Sequence, residues 1–134
     1  MQCFLKLLVS IAEGSFLDEW SFDEFQSLLN RSKEDQKLQQ LLHQDNIVVF
    51  LHLMGCDING HSHRPFSSSY LNNIKVLDEI SHKVYILMEG YFKDNRTAYI
   101  FTADHGMSDK GWCFLWALKV CLLFHLSRDS SWLG

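Results

Sequence analysis

The stretch at residues 47–61, Ile-Val-Val-Phe-Leu-His-Leu-Met-Gly-Cys-Asp-Ile-Asn-Gly-His, decides the fold of this chain. Its first seven residues form an apolar run rich in β-branched side chains, which is typical of a strand buried on both faces in a parallel sheet. His52, inside the run, is expected to be a hydrogen-bonded core histidine. We predict that a loop or a first helical turn follows and holds Asp57 and His61, with Gly60 allowing a sharp turn.

A second stretch, Ala-Tyr-Ile-Phe-Thr-Ala-Asp-His-Gly at residues 98–106, has the same plan. Residues 98–102 predict a short buried strand that runs directly into Asp104 and His105. Between the two strands, apolar residues recur every three or four positions from Tyr70 to Tyr91, which predicts an amphipathic helix. Because a crossover between such strands is right-handed, the strands should be parallel. The predicted fold is α/β, with a βαβ unit of a parallel sheet and flanking helices.

The segment before the first strand predicts further helix. Ser21 is followed three residues later by Glu24, the spacing of a capping box, and apolar residues then follow at helical intervals. We therefore expect one or two amphipathic helices over residues 21–43.

Both Asp/His pairs are expected just past the carboxyl ends of their strands. Parallel strands bring these ends to one edge of the sheet, where ligands of open α/β sheets bind. A single such pair more often carries no function, but two pairs at matched strand ends favour a metal site formed by Asp57, His61, Asp104 and His105. Adjacent Asp104 and His105 reach one ion only if the strand bends there, which Gly106 permits.

The donor set consists of oxygen and nitrogen without thiolate, which suits Zn²⁺ or Mn²⁺. Two such ions about 4 Å apart clamp the attacking and leaving oxygens of a phosphoryl group. His63 and Arg64 follow the first pair; they either contact a phosphate or head group, for which Arg is suited, or merely shape the loop.

Composition narrows the classes of function. The 134 residues carry a formal net charge of -4, so no basic excess exists to bind nucleic acid. The hydrophobic fraction of 47% indicates a globular core. The apolar run at 112–126 is shorter than the roughly 20 residues of a membrane span, so we expect a buried segment. Asn30 and Asn95 head N-x-[ST] sequons, weak support for a lumenal location.

Residues 50–65 and 101–111 closely resemble two metal-binding motifs of the GPI ethanolamine phosphate transferases, in the alkaline phosphatase superfamily. Asn73-Ile74-Lys75, in the helix between them, also fits. The resemblance implies a partial alkaline-phosphatase-like fold in the lumenal domain of an endoplasmic reticulum membrane protein. It implies transfer of phosphoethanolamine from phosphatidylethanolamine to a mannose of the GPI-anchor precursor, the first mannose by the Gly-His-x-His-Arg-Pro motif.

The resemblance also implies two metal ions, zinc by analogy, and a transiently phosphorylated threonine. Asp57 and His61 match ligands of one ion, and Asp104 and His105 match ligands of the other. The match covers residues 17–111, a partial catalytic domain, between a divergent N-terminal segment at 1–16 and a divergent hydrophobic tail at 112–134. In the family the threonine lies upstream, and a Ser-His-Gly continuation follows the second motif, so we expect the chain alone to be inactive.

Two alternatives stay open at this point. A phosphodiesterase or sulfatase would use the same metal core. A non-catalytic product, of low stability and with exposed strand edges, would act through a protein partner that binds the hydrophobic tail.

Overall fold

The computed structural model describes residues 14–45, 47–94, 96–111 and 113–126, with backbone alone for the last of these segments. Four helices and three strands follow in the order α1 (Gly14–Ser32), α2 (Gln36–Leu42), β1 (Ile47–Leu53), α3 (Gly55–His63), α4 (Ser68–Phe92), β2 (Thr97–Met107) and β3 (Cys113–Leu126). The chain therefore mixes helix and strand, as predicted. Residues 1–13, most of the predicted divergent N-terminal segment, and 127–134, the end of the predicted divergent tail, lie outside the described residues, as does Asn95 of the second sequon.

The N-terminal helical prediction is right in type and wrong in its start. Helix α1 already includes Gly14, so Ser21 lies in its interior and donates its hydroxyl to the Leu17 carbonyl at 2.9 Å instead of capping the helix. Asp35 caps α2 by accepting from the backbone N–H groups of Lys37 and Leu38. A predicted capping box is thus overridden by helical residues that precede it.

The long amphipathic helix between the strands is confirmed as α4. Ser67 caps it by accepting from the Tyr70 N–H, and Lys93 ends it in the left-handed conformation. Its buried face is formed by Tyr70, Asn73, Leu77, Ile80, Val84 and Met88. These positions recur at helical spacing, which is why one stripe of the helix is buried.

The sheet has the order β1-β3-β2, and both of its ladders are antiparallel. Because β1 and β2 each run antiparallel to β3, they are parallel to one another, as the βαβ prediction requires. They are not neighbours, however, and the expectation of a purely parallel sheet is wrong. The apolar run expected as a buried segment supplies β3, which lies between the two predicted strands.

The helices cover one face of the sheet at β1 but leave much of that face open at β2, where Phe101 is 56% exposed, so the burial predicted for the strand at 98–102 is wrong. Leu51 and Leu53 of β1 belong to the buried core together with Phe25, Leu29, Cys56 and the α4 stripe, and Ile47, Val49 and Tyr99 pack against it. The alternate residues Val48, Phe50, His52 and Ile100 are exposed. The prediction that the strand at 47–53 is buried on both faces is therefore wrong, and His52 is not a core histidine. Among the described residues, no helix is long and apolar enough to cross a membrane.

Candidate metal centre

Helix α3 carries the first predicted pair. The strand β1 ends at Leu53, and α3 begins two residues later at Gly55, so Asp57 lies in the first helical turn. Residues four apart share a helix face, which places His61 beside Asp57. Of the two predicted settings for this pair, a loop or a first helical turn, the structure has the helical one, and Gly60 makes no sharp turn.

Gly60 serves close packing instead. A Cβ atom there would lie 2.5 Å from Cε and 2.9 Å from Sδ of Met107, at the end of β2. The missing side chain lets β2 approach α3 closely, which no pattern of the local sequence indicates.

Strand β2 carries the second predicted pair. The strand was expected to end before Asp104, but it continues to Met107. Its pairing with β3 shifts register between Ala103 and His105 and again between His105 and Met107. These irregularities take the place of the expected bend, since Asp104 Oδ2 lies 3.8 Å from His105 Nε2 although the two residues are adjacent.

The pairing with β3 sets the level of the two motifs. Leu53 at the end of β1 and Ala103 in β2 are both opposite Val120 of β3. Both Asp/His pairs therefore follow residues at the same height in the sheet. The expected convergence at one edge is found, although β3 separates the two parallel strands.

Asp57 is the centre of the resulting cluster. Its Oδ1 lies 3.4 Å from His61 Nε2 and 4.0 Å from His105 Nε2. The Asp57 side chain is only 13% exposed and that of His105 is 19% exposed. Asp57 Oδ1 and His105 Nδ1 are both buried and have no hydrogen-bond partner within the described part of the chain. A buried carboxylate oxygen without a donor is costly, which favours positive charge beside it, either a protonated imidazole or a metal ion.

The hydrogen bond of His61 determines which ring nitrogen faces the Asp57 carboxylate. His61 Nδ1 lies 2.8 Å from the carbonyl oxygen of Gly111. A carbonyl only accepts, so Nδ1 carries the hydrogen and donates. In the neutral ring Nε2 then presents a lone pair to the Asp57 carboxylate. Two lone pairs at 3.4 Å repel each other, and a proton or a metal ion between them would remove this repulsion.

The donor spacings fit a shared ion in part. Two ligands of a tetrahedral zinc with bonds of about 2.0–2.2 Å lie about 3.3–3.6 Å apart. The Asp57–His61 spacing of 3.4 Å falls in that range, whereas the spacings of 3.8 and 4.0 Å to His105 are wider. Over residues 14–45, 47–94 and 96–111, no group of three or more His, Cys, Asp or Glu side chains is placed to hold a metal ion. The described residues thus fit pairs of ligands and not a closed site.

The Gly111 carbonyl contacts Nδ1 of the His61 ring, while Nε2 of the same ring faces Asp57. The φ of Gly111, 74°, is left-handed, and a Cβ there would lie 2.9 Å from the Gly60 carbonyl oxygen. A backbone carbonyl that fixes the tautomer and direction of an imidazole is the usual support of a metal-binding histidine.

His63 and Arg64 end α3 and are exposed. Arg64 has φ 71° and ψ 157°, a conformation that residues other than glycine rarely adopt. Its N–H donates to the Gly60 carbonyl, and its own carbonyl accepts from the Ser67 hydroxyl at 2.8 Å. Arg64 therefore joins α3 to α4 through its backbone, and its phosphate contact stays a prediction.

Sequence reasoning missed a buried polar network under α3. Asp18 is fully buried, and its Oδ1 accepts from the Gly55 N–H while its Oδ2 accepts from Asn73 Nδ2, both at 2.9 Å. Burial raises the pKa of Asp18 above its usual value, although these hydrogen bonds oppose the shift. Burial likewise raises the pKa of the neighbouring Cys56 thiol to about 11. The sequence could indicate this network only through the position of Asp18, an aspartate on the buried face of α1.

The site is thus a group of carboxylate and imidazole side chains at one edge of a sheet, in a protein that mixes helices and strands. Comparison with known proteins finds relatives that match about three quarters of this chain. The chain is 50% identical to GPI ethanolamine phosphate transferase 1 of Chaetomium globosum over 99 residues. This match covers 74% of this chain and 11% of the relative. The protein of the same name in Neurospora crassa is 46% identical over 100 residues, 75% of this chain and 10% of that relative. In Schizosaccharomyces pombe the identity is 45% over 101 residues, 75% of this chain and 11% of the relative.

The chain is therefore a homologue of a segment of the GPI ethanolamine phosphate transferase 1 proteins, which confirms the resemblance of the two motifs. It spans only about a tenth of the length of the curated relatives it matches. No protein-family model matches the chain, and no solved structure matches it.

Proposed function

We propose that this chain is part of a phosphoethanolamine transferase that acts on the first mannose of the GPI-anchor precursor, at a two-metal phosphoryl-transfer site. The names of the relatives support the transferase and the GPI-anchor substrate. The observation that carries the metal is the Asp57 carboxylate oxygen, which is buried without a hydrogen bond and faces the Nε2 atoms of two histidines.

In this proposal Asp57 and His61 hold one zinc ion, and Asp104 and His105 hold the other. Remaining ligands and the nucleophilic threonine come from residues outside this chain. Bound zinc ions lower the pKa of a hydroxyl nucleophile and stabilise the leaving oxygen. Gly111 keeps the His61 ring oriented through the hydrogen bond to Nδ1. His63 and Arg64, exposed at the end of α3, contact the phosphate of the phosphatidylethanolamine head group.

The proposal includes the setting of the whole protein. The described residues would be a piece of an alkaline-phosphatase-like domain on the lumenal side of the endoplasmic reticulum membrane. The parallel direction of β1 and β2 and the matched height of their Asp/His motifs support such a domain.

The activity is tested by grafting. Residues 17–111 of this chain replace the matching segment of the Schizosaccharomyces pombe relative in cells that lack their own copy, and incorporation of labelled ethanolamine into GPI precursors is measured. We expect the graft to support incorporation and Asp57→Ala or His105→Ala to abolish it. Incorporation that is unchanged in both variants would contradict the assigned roles.

The metal is tested on the chain itself. Elemental analysis after dialysis against zinc should find zinc in the parent chain and lose it in His61→Ala and His105→Ala. His82→Ala is the matched control, because His82 is an exposed histidine of α4 away from the cluster. Equal zinc content in all four proteins would refute the assigned ligands.

One observation favours a second candidate, a non-catalytic interaction role. Val48, Phe50 and Ile100 expose 54%, 55% and 45% of their surface on the uncovered face of the sheet. Self-association in sedimentation velocity that disappears in Phe50→Ser, together with a chain that takes up no zinc, would favour this role over the transferase.

A further inference from the structure

The first turn of α3 has no cap of its own. Met54 occupies the capping position and makes no side-chain hydrogen bond to the helix. Asp18, from α1, supplies the missing acceptor, since its Oδ1 takes the Gly55 N–H at 2.9 Å. A carboxylate at a helix N-terminus is favoured by the orphan N–H groups and by the helix dipole.

The same carboxylate anchors a chain of buried amides. Asp18 Oδ2 accepts from Asn73 Nδ2 of α4, and Asn73 Oδ1 accepts from Asn59 Nδ2 of α3, each at 2.9 Å. Asp18, Asn59 and Asn73 are 0%, 6% and 1% exposed. We call these three side chains the Asp18 network. It connects α1, α3 and α4.

The Asp18 network holds α3 at two points on one face. Gly55 and Asn59 are four residues apart and so lie on the same side of the helix. Asp57 and His61 are each two residues further along, which is a rotation of about 200° around the axis. The network therefore grips the face opposite to the one that carries the candidate ligands. Holding the helix at residues 55 and 59 fixes its rotation, and with it the direction of Asp57 and His61.

The grip leaves no space. A Cβ on Gly55 would lie 2.2 Å from Asp18 Oδ2 and 2.5 Å from Asn73 Nδ2, and a Cβ on Gly14 would lie 2.6 Å from the Gly55 carbonyl oxygen. Backbone and polar side chains meet directly, so a small displacement of α3 would break the hydrogen bonds. Apolar residues of similar volume would often serve stability as well as a buried carboxylate does. A polar network with fixed geometry instead specifies one orientation.

We propose that Asp18, Asn59 and Asn73 are positioning residues that orient α3 so that Asp57 and His61 face His105; their consequence for metal binding rests on the proposed function. They touch neither substrate nor metal. They act through the helix that carries the ligands, as residues that support metal ligands without touching the metal commonly do.

A reciprocal exchange tests this proposal on the full chain. In Asp18→Asn, with Oδ1 kept on the Gly55 N–H, the new amide group faces the Asn73 amide, so two donors meet in the present orientation of Asn73. In the double variant Asp18→Asn/Asn73→Asp, the amide at position 18 donates to the carboxylate at position 73, which also still accepts from Asn59. Zinc affinity is measured by calorimetric titration. We expect Asp18→Asn to weaken zinc binding by about 10–100-fold and the double variant to restore it.

Tyr91→Phe is the control for a merely structural role. It removes the partly buried hydrogen bond between the Tyr91 hydroxyl and Ser32 Oγ, 2.6 Å apart, which joins the other ends of α4 and α1. Its zinc affinity should equal that of the parent. Unchanged zinc affinity in Asp18→Asn would overturn the proposal. Equal weakening in Tyr91→Phe, or no recovery in the double variant, would overturn it too.

A second readout keeps the test independent of zinc. A parent chain that binds no zinc would contradict the proposed metal role, and nuclear magnetic resonance of the metal-free proteins then decides the positioning role. Asp18→Asn should move the imidazole signals of His61 and His105, and the double variant should return them towards the parent positions. Imidazole signals that stay in place in Asp18→Asn would refute the positioning role.

Discussion

Two glycine-to-alanine changes in helices should have opposite effects on stability. Gly55 is the first residue of α3, and Gly90 lies near the end of α4. A Cβ added at Gly90 would have no neighbouring atom within 4 Å, whereas a Cβ added at Gly55 would lie 2.2 Å from Asp18 Oδ2. Neither glycine has a positive φ, so the difference comes from space alone.

The magnitudes follow from the contacts. Alanine in place of a helical glycine stabilises by about 0.5–1 kcal/mol, which is the whole expected effect of Gly90→Ala. At Gly55 the same gain is opposed by overpacking of about 1–3 kcal/mol and by the loss of two hydrogen bonds to Asp18 of about 1 kcal/mol each. We therefore expect Gly55→Ala to destabilise the chain by about 2–4 kcal/mol net.

Urea denaturation followed by far-ultraviolet circular dichroism measures both free energies of unfolding. Gly90→Ala also shows that an added methyl group does not by itself disturb folding of the chain. If Gly55→Ala were as stable as the parent, or as stable as Gly90→Ala, the close contact between α3 and the Asp18 network would be wrong.

Three further outcomes can be checked with simple variants or reagents. Arg64→Gly should stabilise the chain by about 1 kcal/mol in urea denaturation, because only glycine adopts φ 71° and ψ 157° without strain; a loss of stability would mean that the arginine side chain outweighs the strain. Burial raises the pKa of the Cys56 thiol to about 11, so alkylation of Cys56 in the folded chain should be slow near neutral pH, measured by mass spectrometry of the Cys56 peptide. The contribution of Cys56 to stability should be present below its usual pKa of 9.0 and lost as the pH rises through about 11. Rapid alkylation of the native chain would contradict the burial of Cys56. The folded chain should not be glycosylated at Asn30 by an oligosaccharyltransferase in vitro, because Ser32 of that sequon is buried in α1 and bonded to Leu29 and Tyr91, whereas the denatured chain should be a substrate; glycan on the folded chain would argue against this packing.

The parts of the fold that the sequence predicts are those with a periodic pattern. The apolar stripe of α4 predicts a helix and its buried face, and the apolar run of β1 predicts a strand. The partner of β1 cannot be read in this way, because β3 comes from an apolar run that has no alternation and lies far along the chain. One uncovered face of the sheet was missed for the same reason, since a continuous apolar run is typical of burial on both faces.

The candidate site shows the same division. The sequence predicts Asp57, His61, Asp104 and His105 as ligands from their residue types and their places at strand ends, and the structure brings Asp57 close to both histidines. The sequence does not show that α3 is a helix, because glycine and asparagine within its nine residues favour a turn. It also does not show Asp18, whose partners lie 37 and 55 residues away.

The shortness of α3 explains why these distant partners are needed. A helix of nine residues is too short to be stable in water by itself, since isolated helices below about 12–15 residues are marginal. Its buried residues are Gly55, Cys56, Asn59 and Gly60, so it offers little apolar surface for packing. Asp18 and Asn73 compensate on one face with hydrogen bonds, and Gly60 admits Met107 of β2 closely. The opposite face of α3 is thereby left to Asp57 and His61, which it presents towards His105 and, in the proposed function, to a metal ion.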